Sequence, residues 1–152
     1  MARDGSVKPP AWPPQRVDHI GVVVRSIAEA GRFYEQAFGL HLEAPESLPA
    51  NGVTVAFITV GATRIELVEP LGEDSPAARF LERRGEGLHH IALAVGDIAQ
   101  ALAIARRSGF TPIDAQPRPG AHGSLIAFLH PRDAHGVMIE LVEKSSGLLT
   151  SN

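Results

Sequence analysis

The chain has no cysteine. Disulfides, thiolate metal sites and cysteine nucleophiles are therefore excluded. No apolar run approaches the ~20 residues that a membrane-spanning helix needs, so no membrane partner is expected. Positive charge is not in excess either: 14 Lys and Arg stand against 17 Asp and Glu, a net charge of −3. That balance argues against nucleic acid as the main partner. The first sixteen residues hold four prolines and one glycine but lack the apolar stretch of a signal peptide. Residues 1–16 read as a flexible extension, residues 144–152 as a loose tail, and the expected location is cytoplasmic. What remains is ordinary in composition, 44% hydrophobic and 20% charged over a 152-residue chain. That suits one packed domain or two small fused modules.

The informative feature is a repeat. VDHIGVVVRSIAEA begins at Val17 and LHHIALAVGDIAQA at Leu88. His19 aligns with His90, Ile20 with Ile91, Ile27 with Ile98 and Ala30 with Ala101, each pair 71 residues apart. The spacing still holds at Ala56-Phe57 and Ala127-Phe128. IELVE at 65–69 then recurs at 139–143, now 74 residues on, so the second copy carries three extra residues in a turn. A period of this size means duplicated supersecondary units.

Each copy reads alike. Residues 17–24 alternate and are rich in β-branched residues, which predicts a strand. Ser26 and Glu29 have capping-box spacing ahead of a helix over 27–38, with Ile27, Ala30, Phe33, Tyr34 and Phe38 on one face and Gly39 at its end. Strands follow at 53–60 and 63–69 across a Gly61-Ala62 turn, with a weaker one near 41–43. In the second copy the strands fall at 88–95, 125–130 and 137–143, with Asp97 capping a helix that ends near Ser108-Gly109. Ser75-Pro76 starts a linking helix, about 76–84. The expected fold is α+β: two tandem βαβββ modules, 17–70 and 88–143, forming one curved mixed sheet around a cleft. A sheet of this kind leaves an edge or face to cover, which predicts a homodimer.

Polar residues then stand out on the strands. His19 and His90 occupy equivalent places on equivalent first strands, and Glu66 and Glu140 on equivalent last strands. Any one of them alone fits a water-facing position on an antiparallel sheet. Four of them on a repeat, two inside otherwise apolar I-E-L-V runs, point to a shared partner, because a buried unpaired carboxylate is costly. Two imidazoles and two carboxylates make an N₂O₂ set for one divalent cation with positions left for substrate. His89, next to His90, should face the other way. His41 and His135 sit near turns and read as solvated. His122 and His130 lie near a strand end and are candidates for lining a pocket.

The segments DHIG, IELVEPLGEDSP, GEGLHHIAL, PRPGAHG, IAFLHP and GVMIELVE, in that order, resemble methylmalonyl-CoA epimerases of the vicinal-oxygen-chelate superfamily over about 17–143. The module pair is common to the superfamily; GEGLHHIA and GAHG-x₂-IAFLHP are the specific part. The resemblance implies an isomerase of propionate metabolism that interconverts the C2 epimers of methylmalonyl-CoA through an enolate. It implies a divalent metal, cobalt first, with manganese, zinc, nickel or magnesium as alternatives. It carries the ligand roles onto His19, Glu66, His90 and Glu140, with Glu140 and Glu66 also the candidate catalytic residues. An acidic residue that some relatives carry after a Q-G-V-like turn is missing here, where the chain reads Asn51-Gly52-Val53-Thr54-Val55-Ala56. Arg118, Arg64, Lys144 and Arg132 are candidate contacts for the coenzyme A phosphates.

Other chemistries share the fold. Glyoxalase-like isomerase or lyase chemistry also moves a proton beside a carbonyl, but the GAHG and FLHP runs favour the epimerase. A non-haem iron dioxygenase uses two histidines and one carboxylate; a second carboxylate and an aromatic content of only 5% speak against it. A drug-binding protein of the fold would not need four ligands.

Overall fold

The computed structural model describes residues 12–145. Positions 1–11 of the expected extension and 146–152 of the expected tail lie outside the described residues. The first module contributes β1 (Arg16–Val23), α1 (Ile27–Phe38), β2 (Glu46–Leu48), β3 (Val53–Val60) and β4 (Thr63–Pro70). After α2 (Pro76–Arg84), the second contributes β5 (Gly87–Ala94), α3 (Ile98–Arg107), β6 (Arg118–Pro119), β7 (Leu125–Leu129) and β8 (Ile139–Glu143). The eight strands form one mixed sheet in the order β2-β3-β4-β1-β5-β8-β7-β6. Exchanging the copies reverses that order onto itself, so the pseudo-twofold axis runs between β1 and β5. Those two strands pair antiparallel, whereas β1 pairs with β4, and β5 with β8, in parallel.

The repeated IELVE explains how each module closes. On a strand, residues 66 and 69 point to opposite faces. Glu66 points inward, while Glu69 accepts the backbone N–H of Ile27 at 3.1 Å, at the start of α1. Glu143 does the same for Ile98 at the start of α3, also at 3.1 Å. Ser26 accepts the Glu29 amide and Asp97 the Gln100 amide. Side chains thus satisfy several of the orphan donors of both helices. Gly39, at φ 67°, closes α1 in the left-handed conformation that a side chain disfavours.

Helices α1 and α3 cover the outer face. Ile27 packs with Ala56, Ile58 and Leu67; Ile98, Ala101 and Leu102 pack with Ala127 and Leu141. Helix α2 lies on the inner face, where Ala77, Phe80 and Leu81 meet Val23, Val55, Phe57 and Val68. The sheet curls inward until its two ends touch. Asn51, in the 3-10 turn after β2, donates to the carbonyl of Pro119 on β6 and accepts from Arg118. The amide of His122 donates to Glu46 on β2 at 3.1 Å.

Two expectations are corrected, and one strand was not foreseen. Phe33 and Phe38 leave the core face of α1 and are 56% and 65% exposed, clustering with Tyr34 on the surface. The strand expected near 41–43 is a single bridge, Leu42 to Ile58, with β2 lying further on. The two-residue β6 has no signature in the sequence, because Pro119 and the flanking glycine and prolines mask it.

Candidate metal centre

Two rows of residues cross the inner face. In one, Phe57 on β3 pairs with Glu66 on β4, Glu66 with Gly21 on β1, and Gly21 with His90 on β5. In the other, Phe128 on β7 pairs with Glu140 on β8, Glu140 with Ala92 on β5, and Ala92 with His19 on β1. Each row reads Phe–Glu–small–His, and the repeat maps one onto the other. The small residue leaves room for an imidazole. A Cβ on Gly21 would come within 2.1 Å of the His90 ring, far inside contact distance.

The four polar side chains converge there. His19 and His90 bring their Nε2 atoms to 3.2 Å of each other. His19 Nε2 lies 2.8 Å from Glu140 Oε2 and 3.7 Å from Glu66 Oε1. His90 Nε2 lies 3.2 Å from Glu66 Oε1 and 3.9 Å from Glu140 Oε2. All four residues are buried, at 4–7% exposure. Ligand atoms of His19, His90 and Glu140 lie within 4.8 Å of one another, and Glu66 joins through the two histidines.

The donors do not balance. Both Nδ1 atoms are occupied elsewhere, His19 with Asp18 at 2.7 Å and His90 with His89 at 2.8 Å. The two Nε2 atoms face each other at 3.2 Å, so at most one of them can donate across that contact. Glu140 Oε2 is buried and receives no hydrogen bond, because the nearby Nε2 of His19 is close enough for an ion pair but not aligned to donate. Two imidazoles and two carboxylates converging on one buried point are a donor set that could hold a divalent cation, which would displace the proton from Nε2 of His19.

The electrostatics match. Burial works against the charged ring of His19, yet Asp18 and the carboxylates of Glu140 and Glu66 overcome it and raise the imidazole to about 10. Burial likewise disfavours ionised Glu66, but His90 and His19 hold the carboxyl below its ordinary value. Burial, with His90 and Arg84 nearby, pushes His89 down to about 4. Asp18 is buried too, and its bonds to His19, Lys144 and Arg64 outweigh that burial and keep it ionised.

Asp18 and His89 were not legible as site residues. Alternation places each opposite its neighbouring histidine, and the expectation that His89 faces away from His90 is overturned by their 2.8 Å contact. The only hint was that the repeat aligns Asp18 with His89.

The other candidates divide. Phe57 and Phe128 have their ring centroids 5.6 Å from those of His19 and His90 respectively. His122 tilts over Phe57 at 5.2 Å, and Arg118 lies over Phe128 at 5.6 Å, so both stack on the phenylalanines that flank the site. His130 is exposed, and its Nδ1 accepts the Arg132 amide within a turn. Arg64 and Lys144 are committed to Asp18 at 2.8 and 2.9 Å and Arg118 pairs with Asp114 at 3.2 Å. None of these three is an uncommitted phosphate contact. Val55 is buried on the inner face beside Phe57, so β3 offers no carboxylate there.

The profile of the Glyoxalase/Bleomycin resistance protein/Dioxygenase superfamily matches residues 18–128. Ethylmalonyl-CoA/methylmalonyl-CoA epimerase of Cereibacter sphaeroides is 41% identical over 128 residues, covering 83% of this chain and 96% of that protein. The mitochondrial methylmalonyl-CoA epimerase of Mus musculus is 35% identical, covering 87% of this chain and 75% of that protein. A solved Streptomyces coelicolor methylmalonyl-CoA epimerase in complex with 2-nitronate-propionyl-CoA superposes with a TM-score of 0.85 at 35% identity, covering 88% and 97% of the two chains.

Proposed function

The chain belongs to the Glyoxalase/Bleomycin resistance protein/Dioxygenase superfamily and, within it, to the methylmalonyl-CoA epimerases; we propose that it interconverts the C2 epimers of methylmalonyl-CoA, with His19, Glu66, His90 and Glu140 holding one divalent cation, cobalt first. The observation that carries this reading is the convergence of two imidazoles and two carboxylates on one buried point, where Glu140 Oε2 lies 2.8 Å from His19 Nε2 yet accepts no hydrogen bond. It coincides with relatives that cover nearly the whole fold.

The proton at C2 lies between a thioester and a carboxylate, and its removal gives an enolate. When bound, the cation supplies Lewis-acid stabilisation for the charge that develops on the thioester oxygen. Epimerisation requires a proton to leave one face and return to the other, so two acid–base groups must flank the carbon. Among the described residues, the buried carboxylates are Asp18, Glu66 and Glu140. Asp18 is taken up by His19, Arg64 and Lys144. Glu66 and Glu140 approach from the two halves of the sheet and are related by the pseudo-twofold axis, which suits opposite faces of one carbon. A carboxylate held tightly by a cation is a poor base. Each glutamate has one near histidine, Glu140 with His19 at 2.8 Å and Glu66 with His90 at 3.2 Å, and the looser base role is assigned to Glu66, whose nearest contact is the longer. His122 and Arg118, which stack on Phe57 and Phe128, are the candidates to meet the acyl portion of the substrate.

A homodimer accompanies this reading. Leu88 is 73% exposed and its repeat partner Val17 36% exposed, leaving apolar side chains of the two central strands open. Cytoplasmic placement is proposed with it; among the described residues no helix is long and apolar enough to cross a membrane.

The test starts from one C2 epimer of methylmalonyl-CoA and follows formation of the other by circular dichroism. Conversion that a chelator stops and cobalt restores is expected. Conversion unaffected by complete metal removal would separate the activity from the metal centre, and no conversion in metal-loaded, folded protein would remove the epimerase reading.

A further inference from the structure

Each ligand histidine is backed by the residue immediately before it in the chain, which a regular strand forbids, because successive side chains point to opposite faces. The β1–β5 ladder shows how this is achieved. Val17 pairs with Leu93 and His19 with Ala92, which leaves Asp18 opposite nothing. Gly21 pairs with His90 and Val22 with Leu88, which leaves His89 opposite nothing. An extra residue in one strand is a β-bulge, and a bulge re-aims a side chain. The repeat puts the two bulges at equivalent positions, one on each strand.

Their chemistry differs. Asp18 is 1% exposed. Besides His19 Nδ1 at 2.7 Å, it holds Arg64 Nη2 at 2.8 Å, Lys144 Nζ at 2.9 Å and Arg16 Nη2 at 3.4 Å. These groups anchor an ionised carboxylate. His89 Nδ1 lies 2.8 Å from His90 Nδ1, where an imidazole, unlike Asp18, can accept the His90 Nδ1–H only through an uncharged ring nitrogen. Its ring is 5.0 Å from that of Phe80, and it borders a cavity lined by Arg79, Arg83 and Arg84, which disfavours added positive charge.

We propose that Asp18 and His89 are paired positioning residues, set by the two bulges, that turn the Nε2 atoms of His19 and His90 onto one centre and make its two halves unequal. An Nδ1–H that donates to a carboxylate leaves a more basic Nε2 than one that donates to a neutral imidazole. His19 is then the firmer donor and His90 the looser one, so the Glu66–His90 side is where the coordination gives way to an incoming substrate. This rests on the reading that His19 and His90 hold a divalent cation.

The experiment uses the full-length protein and metal alone. In the zinc-loaded, uniformly ¹⁵N-labelled protein, proton–nitrogen correlation of the imidazoles is expected to show both ligand rings protonated at Nδ1, with the His19 proton further downfield. A ligand ring bound through Nδ1 would overturn the proposal. Cobalt affinity is then measured by competition with a chromophoric chelator. Asp18→Asn should weaken binding by ~10–100-fold. Should that buried variant fail to fold, the half-buried His89 carries the test. His89→Phe, which removes the acceptor, should weaken binding, and His89→Asp, which makes the two halves alike, should tighten it beyond wild type. Folded variants that all bind cobalt as wild type does would overturn the proposal while leaving the metal centre intact. Wild-type protein that binds no divalent cation would remove both.

Discussion

Gly21 makes the sharpest single-residue test of the site. A methyl group there would occupy the volume of the His90 imidazole, so Gly21→Ala should reduce metal affinity at least ~10-fold, as loss of ligand orientation does elsewhere, in a protein whose circular dichroism is unchanged. The two glutamates should separate in behaviour. Glu66→Gln and Glu140→Gln should each slow proton exchange by about 10²–10⁴-fold, the usual worth of a positioned acid–base group. Metal stoichiometry should fall further in Glu140→Gln, whose carboxylate is the one 2.8 Å from His19. His19 supplies a pH test on metal-free protein. Its folded value is raised to about 10 from the ordinary imidazole value of 6.5, so its contribution to stability is complete below about pH 6.5 and is lost as pH rises through about 10. Urea unfolding of metal-free protein should show that decline between pH 7 and 10. Metal binding should run the other way, weakening as pH falls, because the cation must displace the proton. At this scale the four ligand candidates were legible because the repeat doubled the signal of each. Asp18 and His89 were not, because a bulge breaks the alternation from which facing is inferred.

The elements were legible where period and caps agreed. Helix α1 begins and ends where Ser26 and Gly39 predict, and β3 spans the alternating run between Gly52 and Gly61. Legibility failed where an element is defined by its partner. Strand β2 exists by pairing with β3, and β6 by pairing with β7, and neither is long enough to carry a pattern of its own. Phe33 and Phe38 satisfied the helical period, yet both stay exposed and pack on each other and Tyr34 instead of the sheet core, so hydrophobicity alone misassigned them. The second glutamate of each IELVE gives a test here. Glu69→Ala and Glu143→Ala each remove a cap from a helix N-terminus and should cost about 1 kcal/mol in urea unfolding, with cobalt affinity within threefold of wild type. A matching loss of affinity would mean that caps and metal centre are not independent.

The whole molecule is a duplicated unit folded about an axis between β1 and β5, and the site lies where the copies meet. Each copy supplies one of the two converging histidines and one of the two converging glutamates, so the chemistry belongs to the duplication. The curl that brings Asn51 against Pro119 and Glu46 against His122 depends on contacts 68 and 76 residues apart in sequence, which no local pattern reveals. Substrate choice is coarse at this scale. Ethylmalonyl-CoA differs from methylmalonyl-CoA by one methylene, worth about 10–200-fold in an apolar pocket, and kcat/KM for the two should differ by no more than that. The most direct test of the two-glutamate metal centre follows deuterium uptake at C2 of methylmalonyl-CoA in heavy water, with metal-stripped protein to which cobalt is returned. Exchange that appears only with metal, and that falls in both Glu66→Gln and Glu140→Gln, is the expected result; exchange at the wild-type rate in either folded, metal-loaded variant would contradict it.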